Sequence, residues 1–350
     1  MTESTRYASV LAKIGVERSR LLSEAKLKSL TESKNLNDIV TQLRGTSYAE
    51  KLTKLPSSLT SNKLERVFQE NLIEIYIKII RCSPRRVQSF LSLYILRYEI
   101  ENIKTLIKAT YAKLDTTQKL ARIYFSVEDF LKRRSVIEET AKAPNLKQTI
   151  DSLKNTEYEL SLSLGFKSFE EGGSTTCFDV LLDKMFYEKL YSGYQDLPKR
   201  DKPHAYFFVS MENDSFTLLT LLRGKNLNYD SNWLQLAVPM DNFSISKQMV
   251  ENLASAPNFE SALNLARKGE YAQFLTKAPT PEDTIATGER NFRKAIFEYA
   301  KHSIVSEIFN VGMILVFMIQ KAAEVYNLTA ISIGVEAGLK PEEIRNQLLL

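Results

Sequence analysis

Residues 35–52 read NLNDIVTQLRGTSYAEKL, and two later segments repeat this pattern. Residues 145–162 read NLKQTIDSLKNTEYELSL, and residues 258–275 read NFESALNLARKGEYAQFL. All three segments keep Asn at the first position, Tyr at the fourteenth and Leu at the eighteenth. A fixed period of this kind is the signature of a repeated structural unit. The sequence therefore predicts three copies of one module.

A second, shorter motif recurs with nearly the same period. An acidic residue is followed three, four and seven positions later by a polar residue and two apolar residues, which places all four on one helical face. The copies are Glu99, Asn102, Ile103 and Leu106; Asp214, Thr217, Leu218 and Leu221; and Glu324, Asn327, Leu328 and Ile331. Together the two motifs predict three repeat units, at 1–115, 116–230 and 231–350.

The recurring polar residues are interpreted as architectural. Each carboxylate of the second motif is expected to pair or cap at an equivalent helix junction, and the following Asn or Thr to hydrogen-bond locally. The repeated tyrosines, Tyr48, Tyr158 and Tyr271, are expected to be packing anchors whose hydroxyl reaches a polar edge. A catalytic centre is normally a single constellation of side chains. No catalytic, cofactor-binding or metal-binding residue is therefore predicted.

Apolar residues at helical spacing predict an all-α fold, and the scarcity of glycine (12 of 350 residues) suits long helices. The predicted helix pairs are 62–81 with 85–113, 179–191 with 206–225, and 291–301 with 303–326. Thr60 or Ser61 is expected to cap the first helix. Residues 205–211 are compatible with a short strand, but their place in the repeat favours helix. The predicted loops are 56–61, 165–176, 192–203 and 277–288, and Gly338 followed by Pro341 predicts one helix ending and another beginning.

Composition and charge exclude several classes of protein. Two cysteines, Cys82 and Cys177, cannot form a disulfide framework and fit a reducing, cytoplasmic setting. The net charge is +5, and the basic clusters (81–86, 132–134 and 199–202) are scattered among acids, which disfavours nucleic-acid binding and suggests solvated helix ends and loops. The longest uncharged run, 308–320, has 13 residues and is too short to span a bilayer. No signal-peptide stretch is expected.

Other candidate sites have simple structural interpretations. The run 172–176 (GGSTT) lacks the lysine and preceding strand of a phosphate loop, so a flexible turn is expected. Residues 223–225 (RGK) are interpreted as cations at a helix C-terminus. His204 is expected in a solvated loop, and His302 is expected to be structural. The acidic pairs 170–171 and 342–343 are expected in exposed turns.

The two ends of the chain resemble a known family. At the start, Tyr7, Ala8, Arg18, Arg20, Leu21, Leu22 and Ser23 precede 35–52; at the end, 324–328 (EVYNL) and Ile331 precede 337–339 and 341–345. With 221–225 (LLRGK), this order resembles the C subunit of archaeal-type rotary ATP synthases, the counterpart of the d subunit of vacuolar ATPases. Thr329, Gly334-Val335 and Asn310-Val311-Gly312 depart from the family pattern and suggest a divergent lineage.

The resemblance implies a funnel of three similar helical domains around a pseudo-threefold axis with a central cavity. It further implies a non-catalytic central-rotor adaptor that links the central stalk subunits to the membrane proteolipid ring and transmits torque. ATP synthesis or hydrolysis is thereby coupled to ion transport. Such a protein is peripheral on the cytoplasmic side, has no cofactor and does not span the membrane. A soluble helical-repeat scaffold for a cytoplasmic partner is the alternative, and a helical enzyme is a third, less favoured hypothesis.

Overall fold

A computed structural model describes residues 3–56, 58–302 and 309–350. Within these ranges every regular element is a helix, which confirms the all-α prediction. The α-helices are α1 (Glu3–Arg18), α2 (Glu24–Leu30), α3 (Leu36–Leu43), α4 (Ala49–Leu52), α5 (Ser61–Cys82), α6 (Arg85–Tyr111), α7 (Thr116–Leu120), α8 (Phe125–Leu131), α9 (Arg134–Ala141), α10 (Leu146–Asp151), α11 (Glu159–Gly172), α12 (Thr176–Gln195), α13 (Lys202–Asn226), α14 (Ser231–Leu236), α15 (Lys247–Ala254), α16 (Phe259–Ala266), α17 (Pro281–His302), α18 (Val311–Glu336) and α19 (Pro341–Arg345). A short 3₁₀ helix spans Ala272–Phe274.

The chain divides into two compact units, one of residues 1–88 and 296–350, the other of residues 89–295. The division into three repeat units at 115 and 230 stays a prediction.

The first unit is organised around α18, which packs along α5 and also contacts α1, α2 and α3. The Tyr76 hydroxyl of α5 donates to the Met318 carbonyl of α18 over 2.7 Å. Among the described residues, α18 alone is long and apolar enough to cross a membrane by length and composition. However, 72% of its most apolar window is buried inside the unit, as in the core helix of a globular domain.

The second unit is built from long helices packed in sequence. Helix α12 lies between α11 and α13, and α13 also contacts α15 and α16. Residues 205–211 lie inside α13, so the helical prediction for them is confirmed. The loop predicted at 165–176 is shorter than expected and spans only residues 173–175, because α11 continues through Gly172. Gly165 allows this helix to lie directly on Phe178, since a Cβ there would sit 2.6 Å from the ring.

Other predicted helices are longer than expected. Prolines stand in the first turns of α13 and α17, where the missing amide proton costs nothing, so these helices begin at Lys202 and Pro281. Helix α18 continues to Glu336, ten residues past the predicted end at 326. It stops at Gly338, whose φ of 69° is left-handed. Residues 303–308, predicted to begin this helix, lie outside the described residues. Thr60 caps α5 as predicted, accepting from the Lys63 amide.

Three of the long helices, α6, α13 and α18, end in the same way. The second residue past each helix takes a left-handed conformation, and the next amide donates to a carbonyl five residues earlier. The left-handed residues are Lys113, Asn228 and Gly338. The amide-to-carbonyl bonds are Leu114–Ala109 (3.0 Å), Tyr229–Gly224 (3.0 Å) and Leu339–Gly334 (2.9 Å). This is a third repeated feature that the sequence analysis missed, because Lys, Asn and Gly share no obvious chemistry.

Candidate functional site

Every carboxylate of the second motif accepts a hydrogen bond from a tyrosine of the first motif. The hydroxyl-to-carboxylate pairs are Tyr48–Glu324 (2.6 Å), Tyr158–Glu99 (2.5 Å) and Tyr271–Asp214 (2.9 Å). All six side chains are buried. The expectation that the acids pair at equivalent junctions is confirmed. The two motifs, more than fifty residues apart in sequence, meet in three carboxylate–tyrosine clusters.

The first motif positions its tyrosine through local hydrogen bonds. Its opening asparagine is a helix N-cap in every copy, accepting from the amide three residues later: Asn35 from Asp38, Asn145 from Gln148 and Asn258 from Ser261. In the first two copies a threonine hydroxyl then accepts from the tyrosine amide, Thr46 from Tyr48 and Thr156 from Tyr158. The tyrosine ring enters the core at the start of the next helix.

The Glu324 cluster contains a buried cation. The Lys321 ammonium donates to Glu324 Oε1 over 2.6 Å and to the Tyr48 hydroxyl over 2.8 Å, which closes a triangle of hydrogen bonds. Glu324 Oε2 accepts from the Leu22 amide. Burial lowers the pKa of Lys321, and the charge of Glu324 opposes that effect. Burial, with Glu324, raises the pKa of Tyr48 well above its ordinary value. The hydroxyl therefore stays protonated and bridges the two charges.

The Glu99 cluster uses an arginine in the same role. Arg133 Nη1 lies 3.0 Å from Glu99 Oε2, 2.9 Å from Glu157 Oε1 and 3.2 Å from the Tyr158 hydroxyl. Arg133 belongs to a sequence cluster interpreted as solvated. Its side chain is still 35% exposed, but its guanidinium also pairs with the buried Glu99. Its neighbour Arg134 forms a two-point ion pair with Asp129 at the surface.

The Asp214 cluster is held by backbone. Asp214 accepts from the amides of Phe243 (2.9 Å) and Ser244 (2.7 Å) as well as from Tyr271. Burial raises the pKa of Asp214, although these hydrogen bonds pull it the other way. The same carboxylate position is thus compensated by a lysine, an arginine or two amides.

The polar residue of the second motif joins its helix to a distant segment. Asn102 donates to the Tyr124 carbonyl and accepts from the Tyr124 amide, and Asn327 does the same with Leu349. Both partners lie 22 residues further along the chain. Thr217 instead donates to the Asn242 side chain over 2.6 Å. The expectation of local hydrogen bonds is therefore wrong. The helix face that carries the polar residue packs against a later segment of the chain in each copy, and the hydrogen bonds join the two.

The remaining candidates lie apart from one another in the described structure. Gly173 sits in a left-handed turn between α11 and α12, as expected for the glycine run. Lys225 donates to the Ala254 carbonyl and Arg223 pairs with Glu289 at the end of α13. His204 is half-buried in the first turn of α13 instead of in a loop, because Pro203 starts that helix. His302 pairs with Glu298 over 3.2 Å. Within the described ranges, no three His, Cys, Asp or Glu side chains converge to hold a metal ion.

The two acidic pairs belong to helices. Residues 170 and 171 are exposed in the last turn of α11, and residues 342 and 343 form the first turn of α19. Glu343 accepts from the Lys340 amide and so helps to begin that helix. Both acidic pairs are exposed as expected, but they lie in helices and not in turns.

The carboxylate–tyrosine clusters are chemically closed. Each carboxylate already accepts two or more hydrogen bonds and is buried, so this arrangement favours fixing the ends of long helices over binding a substrate. Sequence reasoning found the carboxylates and tyrosines but missed Lys321 and Arg133. Lys321 precedes Glu324 by three residues on one helix face, and this spacing is the signal that could have identified it.

Comparisons with known proteins identify a family that covers nearly the whole chain. The family model described as ATP synthase (C/AC39) subunit matches residues 10–347. The C subunit of the A-type ATP synthase of Methanocaldococcus jannaschii is 27% identical over 354 residues, covering 98% of this chain and 86% of that protein. The proteins of the same name from Pyrococcus abyssi and Methanothermobacter thermautotrophicus are 25% and 23% identical, covering 98% of this chain and 90% and 86% of theirs. The chain therefore belongs to the ATP synthase (C/AC39) subunit family.

Proposed function

We propose that this protein is a central-rotor adaptor that links the central stalk to the membrane proteolipid ring and transmits torque between them. The family is that of a non-catalytic subunit of a rotary ATPase complex. The observation that carries the proposal is the family match over residues 10–347, which includes all three carboxylate–tyrosine clusters. On this proposal the protein is peripheral, on the cytoplasmic side of the membrane.

The internal structure suits a part that must pass torque without yielding. Close-packed interiors have low compressibility and transmit strain. The long helices α5, α6, α12, α13 and α18 have 20 to 27 residues each. At about 1.5 Å per residue they reach roughly 30–40 Å. The buried clusters fasten α6, α13 and α18 to neighbouring segments through side chains that would have to lose paired charges or hydrogen bonds to slip.

Reconstitution tests this function directly. In a complex assembled without this chain, ATP hydrolysis by the catalytic head should persist while ion transport stops, and adding the chain back should restore transport. Transport that continues without the chain would contradict the proposal. A soluble scaffold predicts a different fractionation: the rotor adaptor should sediment with membranes and be washed off without detergent, whereas the scaffold should stay in the soluble fraction.

Charge reversal tests whether basic residues help to dock the protein on acidic partners. Arg133 and Arg134 are unsuitable because both pair within the fold. Arg85 and Lys199 are exposed, so R85E and K199E should leave the fold intact. We expect slower assembly with the complex at low salt, since surface charge acts mainly on association rate. The control is K34E, also at an exposed lysine. Unchanged assembly rates for R85E and K199E would show that these basic residues do not help the protein to dock.

A further inference from the structure

A second buried carboxylate lies beside the Glu99 cluster. Glu128 of α8 is 0% exposed. Its Oε1 accepts from the Asn102 side-chain amide of α6 over 2.7 Å, and its Oε2 has no hydrogen-bond partner among the described residues. A buried ionised carboxylate with one neutral donor is costly, whereas a neutral carboxyl is much less so. The surroundings therefore favour a protonated Glu128.

Burial raises the pKa of Glu99 as well as that of Glu128, but Glu99 is better compensated because it accepts hydrogen bonds from Arg133 and Tyr158. Glu99 faces Glu128 from α6. It accepts a 3.0 Å hydrogen bond from Arg133, which lies in the turn after α8. Arg133 is shared in turn with Glu157 and the Tyr158 hydroxyl. Asp129, on α8 itself, points to the surface and pairs there with Arg134 of α9. Burial raises the pKa of Glu128 to about 7, with Asn102 opposing and Glu99 adding to that effect.

Three other buried carboxylates in the described residues have compensating partners. Glu17 pairs with Lys78 at 3.2 Å and with Arg20 at 3.4 Å. Glu324 has Lys321, and Asp214 has two backbone amides. In contrast, the hydrogen bond to Glu128 is neutral and the neighbouring Arg133 is engaged elsewhere.

Glu128 is placed so that its charge affects the contact between α8 and α6. Helix α8 has only seven residues and ends in left-handed Lys132, with the Arg133 amide donating to the Glu128 carbonyl over 2.8 Å. The same short segment therefore carries both Glu128 and the arginine that holds Glu99. We propose that Glu128 is a proton-operated latch: its neutral carboxyl holds α8 against α6, and loss of that proton at neutral to mildly alkaline pH releases α8. The latch goes beyond the rotor function and does not depend on it.

Hydrogen–deuterium exchange on the full-length chain tests the latch. Protection of the amides in residues 124–134, corrected for the intrinsic pH dependence of exchange, should fall about tenfold between pH 6 and pH 8, because the closed segment loses a proton that the open segment has already lost. In E128Q protection should not change with pH. In D129N, which removes a surface carboxylate on the same helix, the fall should remain. Equal protection at both pH values in the native chain, or an unaltered fall in E128Q, would overturn the proposal.

Infrared spectroscopy of the native chain tests the latch without a substituted variant. The C=O stretch of a protonated carboxyl should be present in the native chain at pH 6 and lose intensity by pH 8, a range in which histidine titration does not contribute to that band. No change in the carboxyl band over this range would mean that no such proton is lost, and the latch would be wrong.

Discussion

The Tyr48 hydroxyl donates a 2.6 Å hydrogen bond to Glu324, 276 residues further along the chain. The other two pairs are close in sequence: Tyr158 follows Glu99 by 59 residues, and Tyr271 follows Asp214 by 57. Each carboxylate helix thus pairs with the next tyrosine segment, and the last helix pairs with the first segment. The order of the pairings is cyclic, so both ends of the chain are needed to complete one cluster.

Removing the tyrosine hydroxyls should destabilise the protein. In Y48F the hydroxyl that bridges Lys321 and Glu324 is lost, and the free energy of unfolding should fall by about 1.5–3 kcal/mol, as for a hydrogen bond to a charged group. Y158F and Y271F should each lose a similar amount. Urea unfolding measures the change, and Y111F, at an exposed tyrosine, is the control expected to lose almost nothing.

A double-mutant cycle should show that Lys321 and Glu324 form one unit. K321M leaves a buried carboxylate without its cation, and E324Q leaves a buried ammonium without its anion, so each should cost about 3–5 kcal/mol. The double variant should cost much less than the sum, since neither charge is left unpaired. The exposed pair Lys28–Glu24 should give a coupling below about 1 kcal/mol. Additive losses at 321 and 324 would show that the two side chains act independently.

Glycine at position 334 should be required for the contact of α18 with α19. An added Cβ would lie 2.6 Å from Ile344 Cγ1, so G334A should destabilise by about 1–3 kcal/mol through overpacking. Gly15 provides a matched control inside helix α1, because its Cβ would meet no atom of the described residues within 4 Å. G15A should stabilise by about 0.5–1 kcal/mol, the helix preference of alanine over glycine. If the midpoint of thermal unfolding shifts in the same direction for both variants, close packing against Ile344 does not explain the glycine at position 334.

Stability should depend on pH through Glu128. Its pKa rises from 4.5 to about 7 on folding, so the folded chain binds more protons than the unfolded chain between these values. The free energy of unfolding should therefore decline as pH rises from about 4.5 to 7 and level off above, by roughly 3 kcal/mol in total. E128Q should remove this decline and be more stable than the native chain at pH 8. A native pH profile retained by E128Q would contradict the assignment.

Repetition in the sequence predicted much of this protein. Helices, N-capping asparagines and the architectural role of Glu99, Asp214 and Glu324 follow from spacing, because a helix places residues three and four apart on one face and caps act within one turn. These are local effects. The stop of α18 at Gly338 also follows from local sequence. The continuation of α11 to Gly172 was not predicted, and its close contact with Phe178 through Gly165 is a tertiary one.

Tertiary structure alone decided which charges meet. Nothing local distinguishes Arg133, which pairs with the buried Glu99, from Arg134, which pairs with the exposed Asp129. Glu128 likewise resembles an ordinary helical surface residue until the chain places it against Asn102 and Glu99, with the nearby arginine already engaged. Burial and pairing depend on segments brought together from distant parts of the chain. The electrostatic interactions between their side chains become strong only once water has been excluded from between them.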